Sequence, residues 1–77
     1  MTYKELDTVV LTRDIPEHGL GRGDVGRVVF RHGSGEAYEV EFLAGDGTTL
    51  AVLTLEADDV RPLGRNDTFR VRSASGE

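Results

Sequence analysis

Apolar and polar positions alternate in short bursts along this chain, and each burst ends at glycine, at proline or at a cluster of acids. The cleanest burst runs from Ala37 to Leu43, where Tyr38, Val40 and Phe42 share one parity and Glu39 and Glu41 the other. A repeat of two is what a pleated strand with one buried and one wet face requires. The pattern therefore predicts a strand with Tyr38, Val40 and Phe42 turned to the core. A first strand is predicted over Asp7 to Thr12 and a second over Val25 to Arg31. Between them, Arg13 to Asp24 holds Pro16, Gly19, Gly21 and Gly23. Proline cannot donate to a ladder and glycine opens positive φ, so this stretch reads as a long irregular loop.

The turn His32 to Glu36 leads into the alternating strand. Asp46-Gly47, within the hairpin Ala44 to Gly47, leads out of it. The fourth strand, Thr48 to Leu55, is apolar on both parities: Leu50 and Val52 on one, Ala51, Leu53 and Leu55 on the other. Either both faces are covered or one is an exposed apolar contact surface. Glu56 to Asp59 predicts a single 3-10 turn. Val60 to Leu63 predicts a short fifth strand, with Pro62 acceptable only at an edge. The expected fold is all-β, a small SH3-like barrel of about five strands with one 3-10 turn over residues 1–63. A barrel would close its own sheet edges. Residues 64–77 form a polar tail. Within it Thr68 to Arg72 alternates Phe69 and Val71 with arginines, as an added edge strand would, and Ser73 to Glu77 is expected to be disordered.

Composition narrows the function classes. Seventy-seven residues support one core. With no cysteine there is neither a disulfide framework nor a thiolate metal site. No apolar run approaches the roughly 20 residues that span a bilayer, and Met1 to Asp7 has no apolar stretch like that of a signal peptide. The expectation is a soluble, cytoplasmic protein with no membrane role. The net charge of −5 opposes general nucleic-acid binding. The charge is uneven. Through residue 60, five cations face twelve carboxylates, whereas Arg61, Arg65, Arg70 and Arg72 outnumber Asp67 and Glu77 beyond it.

Several motifs invite a chemical reading, and each has a plainer one. Gly21-Arg22-Gly23-Asp24-Val25-Gly26 fits a dinucleotide fingerprint, but a strand follows where a helix is needed, so it reads as a turn. Arg22-Gly23-Asp24 and Asn66-Asp67-Thr68 match secretory-protein motifs that an intracellular chain cannot use. His18 lies near Asp14 and Glu17, too few ligands for zinc. Glu56, Asp58 and Asp59 lack the shaped loop that calcium needs. No Ser-His-Asp set with a nucleophile elbow is present. The expectation is no catalytic residue, no cofactor, no metal and no enzyme activity.

The stretch from Asp14 through Asp-Ile-Pro-Glu-His-Gly-Leu-Gly-Arg-Gly-Asp-Val-Gly-Arg-Val-Val, with Ala37-Tyr38-Glu39-Val40-Glu41-Phe42 and Leu53-Thr54-Leu55, resembles a small bacterial family, domain of unknown function family 4926. The likeness spans roughly residues 6–63. More distantly, Pro16, His18, Arg22-Gly23-Asp24-Val25-Gly26-Arg27-Val28 and Tyr38-Glu39-Val40-Glu41-Phe42 are similar to the SH3-like domain of the nitrile hydratase β subunit. In that enzyme the metal ligands belong to the other subunit. The resemblance thus implies a barrel that packs on another protein. Members of the first family also resemble small partners encoded beside toxin-like genes.

These readings converge on a non-catalytic protein-interaction module, an accessory subunit or neutralising partner of a neighbouring protein. An acidic surface suits a basic partner by charge complementarity. The expected contact residues are Ile15, His18 and Leu20 in the long loop, and Leu50 and Val52 on the fourth strand. The alternative is a nucleic-acid or ribosome-associated module of the KOW type, built on Gly26-Arg27-Val28. A homodimer through the Thr68 to Arg72 segment is compatible with either.

Overall fold

The computed structural model describes residues 2–64. Five strands, β1 (Thr8–Leu11), β2 (Val25–His32), β3 (Ala37–Leu43), β4 (Thr49–Leu55) and β5 (Val60–Pro62), form one antiparallel sheet in the order β4-β3-β2-β1-β5. The all-β expectation holds, and β3 has the predicted bounds. The tail strand expected at Thr68 to Arg72 and the disorder expected from Ser73 lie outside the described residues.

Tyr38, Val40 and Phe42 are buried on the inner side of β3. Their cross-strand partners carry the same face outward along the sheet. Val28 pairs with Val40, and Leu55, Leu53 and Ala51 pair with Tyr38, Val40 and Phe42. Val9 and Leu11 of β1 and Val60 of β5 join this cluster. The two ends of the sheet, Leu55 and Val60, thus share one core. A 3-10 turn at Ala57–Asp59 connects them, as the acidic run predicted. Thr12 fastens that corner: its N–H donates to the Asp59 carbonyl at 2.9 Å and its hydroxyl to the Asp58 carbonyl at 2.8 Å. Beside it Arg13 Nε meets Asp59 Oδ1 at 2.9 Å. Partial desolvation opposes ionisation of Asp59. The Arg13 hydrogen bond, the backbone donor and the arginine's charge outweigh it, so the carboxyl lies below the usual range.

Closure differs from the expected barrel in one respect. No ladder among the described residues joins β4 to β5, so the sheet curls over its core through side chains and keeps two edges. With only three residues, and with Pro62 lacking an N–H, β5 has little to offer a second neighbour.

Three further features went unpredicted. Pro16–His18 forms a second 3-10 turn, started by a proline whose missing donor costs nothing there and stopped by Gly19 at φ 69°. Ile15 and Leu20 bracket that turn in an isolated bridge, and both are buried in the core. Expected as contact residues, they pack inward rather than on the surface. Tyr3, from a segment given no element, is also buried. Its ring meets Tyr38 edge-on at 5.4 Å, its N–H donates to the Tyr38 hydroxyl at 3.0 Å and its hydroxyl to the Val60 carbonyl at 3.4 Å.

Gly26 is a close-approach glycine on the inner side of β2. A Cβ there would lie 2.7 Å from Phe42 Cε1 and 2.8 Å from Val40 Cγ1. Its missing side chain is the space that the Phe42 ring fills.

Candidate functional site

The outer face of β2, β3 and β4 is set by register. On β3, alternation turns Glu39 and Glu41 outward, opposite the buried trio. The ladders place Phe30 and Thr54 across from Glu39, and Arg27 and Val52 across from Glu41. Two rows of side chains thus cross three strands.

Both rows are anchored at the central carboxylate. Glu39 Oε2 lies 2.6 Å from His32 Nε2 and accepts the Thr54 hydroxyl at 2.8 Å. The His32 hydrogen bond, followed by that from Thr54, holds the Glu39 carboxyl below the ordinary carboxylate range. Glu41 accepts from Arg27 Nη2 at 3.4 Å through one oxygen and from the Thr49 hydroxyl at 3.0 Å through the other. The acids at the middle of this face are therefore engaged by their neighbours.

Apolar side chains stand open beside the partly exposed Arg27 and His32. Phe30 is 49 % exposed and Val52 51 %, with Val29 and Leu50 also open to solvent. Phe30 packs edge-on against the His32 ring at 4.9 Å. Two bulges contribute. Between Val28 and Phe30 the register slips by one, and Val29 is the extra residue; between Phe42 and Leu43 it slips again, and Leu50 is extra. A bulge resets strand parity. The first one puts Phe30 on the outer side, where simple alternation from buried Val28 would have turned it inward.

At the hairpin end, a groove of about 360 Å³ opens beside the Arg27–Glu41 pair, lined also by Thr8, Val25, Leu43 and Gly47. The hairpin turn is held by Asp46, which accepts the Thr48 N–H at 3.0 Å and its hydroxyl at 2.7 Å.

Of the sequence-predicted contact residues, Leu50 and Val52 are exposed on β4. The fourth strand therefore realises the second of its two expected arrangements, an uncovered apolar side. His18 is exposed on the 3-10 turn between β1 and β2 rather than on this face. Asp14 accepts the Arg22 N–H at 2.8 Å, and Asp24 accepts the Gly21 N–H at 2.8 Å. The glycine-rich stretch is thus a self-bonded turn entering β2. Phe30 was missed because its neighbours give no sign of the bulge.

Among the described residues no group of three or more His, Cys, Asp or Glu converges as metal ligands. No helix there is long and apolar enough to cross a membrane. No curated protein and no protein of solved structure matches the chain. The likeness to the nitrile hydratase β subunit is not shown by these comparisons. One family model does match, over residues 5–62, taking in all five strands and both 3-10 turns. On that match the chain belongs to the family described as domain of unknown function DUF4926.

Proposed function

We propose that this chain is a non-catalytic protein-binding module that uses the outer face of β2, β3 and β4, centred on Phe30 and Val52. The supporting observation is the pairing of exposed apolar groups with engaged acids: Phe30 stands half-exposed against His32, while His32, Thr54, Arg27 and Thr49 occupy Glu39 and Glu41. Interface centres favour aromatic groups and disfavour free charge. This shifts the basis of recognition from the acidic surface expected on composition to an apolar patch framed by hydrogen-bonded polar groups.

The test is recovery of a specific binding protein by the tagged full chain from its native cells, with nuclease present throughout. Phe30→Ser should cut recovery about tenfold or more, as loss of a central aromatic anchor does. His18→Ala, off the face, should leave recovery unchanged. Equal recovery by wild type and Phe30→Ser overturns the reading. So does recovery that disappears on nuclease treatment, which would favour the nucleic-acid alternative.

A further inference from the structure

The two edges of the sheet are finished differently. β5 is three residues long and carries Arg61 and Pro62, features that discourage a new strand from pairing. β4 is seven residues long, Thr-Leu-Ala-Val-Leu-Thr-Leu, with no charge, no proline and no glycine. Among the described residues its only ladder is with β3, and no other backbone hydrogen bond reaches residues 49–55.

We infer that β4 pairs antiparallel with β4 of a second copy of this chain about a two-fold axis, joining two five-stranded sheets into one. Three observations select a second copy as the occupant. A two-fold axis sets each residue of a strand against the same strand's own sequence read backwards, so a strand bearing one sign of charge repels itself. β4 is the uncharged edge, in a chain whose net charge is −5. With the axis at Val52, the central residue, the exposed Val52 of each copy is set beside its counterpart, and Leu50 beside Thr54. Finally, such pairing stops at two. The outer ends of the joined sheet are the two β5 edges, which Pro62 and Arg61 leave unsuited to further addition. This inference shares Val52 with the partner-binding reading, and Phe30→Ser, on β2, tests that reading separately.

Sedimentation equilibrium of the full chain from low micromolar to millimolar concentration measures it directly. The expected result is a mass rising from 8.4 kDa toward twice that value. Val52→Lys should weaken association about tenfold or more, because it sets like charges face to face at the axis. Val52 is exposed and opposite Glu41, so a lysine fits the folded monomer. Val52→Arg places the same charge at the axis and provides a second variant should Val52→Lys fold poorly. Phe30→Ser should leave the mass unchanged. A wild-type chain that stays monomeric at millimolar concentration overturns the inference, as does Val52→Lys or Val52→Arg associating as well as wild type. A monomer whose β4 amides all resist hydrogen exchange also overturns it, since the edge would then be covered within one chain.

Discussion

On the inner side of β3, Tyr38, Val40 and Phe42 are sealed among side chains from every strand; on the outer side, Glu39 and Glu41 lie among groups that hydrogen-bond to them and apolar groups that do not. The same seven residues build both. The inner side depends on shape, since Phe42 fits only because Gly26 has no side chain. The outer side depends on pairing, since each carboxylate has two neighbours to satisfy it. The contrast shows that charge counted along a sequence overstates the charge a surface offers to a partner. Two of this chain's 14 acidic residues sit at the middle of an exposed apolar face and are already engaged there.

Substitutions on each side sharpen the contrast. Phe42→Ala should have the largest effect, about 3–5 kcal/mol of lost stability by urea unfolding, because it empties a fully buried aromatic site. That loss is comparable to the whole stability of a domain this small. An effect no larger than that of an exposed position would remove the distinction between the two sides. Gly26→Ala should cost about 1–3 kcal/mol, since the added methyl overlaps the Phe42 ring and Val40. Pairing it with Phe42→Leu should recover part of the loss in a double-mutant cycle. The smallest effect belongs to Glu39. Its folded carboxyl is lowered first by His32 and then by Thr54, so its contribution is fully present above the unfolded carboxylate range. It fades as pH falls through the folded value. Urea titrations across that acid range should show a shallower pH dependence for Glu39→Gln than for wild type. Identical slopes would mean that the outer pairing has no energetic content.

The inner side was legible in the sequence because nothing interrupts the alternation of β3, and acids before Val60 marked the 3-10 turn at the right place. The outer side was only half legible. Leu50 and Val52 stood out as apolar residues of a parity that β4 did not need for its core. Phe30 did not, because a one-residue bulge at Val29 leaves no mark in residue type. Ile15 and Leu20 misled for a related reason. In a loop rich in glycine and proline, apolar residues look like contacts, yet here a turn folds them back as a bridged pair beneath the surface. Tyr3 was invisible because its partners are distant in sequence.

That last placement constrains how the molecule is made. Tyr3 bonds to residues 35 and 57 positions further along, one in the third strand and one in the fifth. During synthesis it must wait, unsheltered, until nearly all of the matched segment has left the ribosome. Loop closures this long slow folding relative to chains rich in local contacts. The domain should therefore acquire its structure in one step once its fifth strand is available, with no stable half-built form.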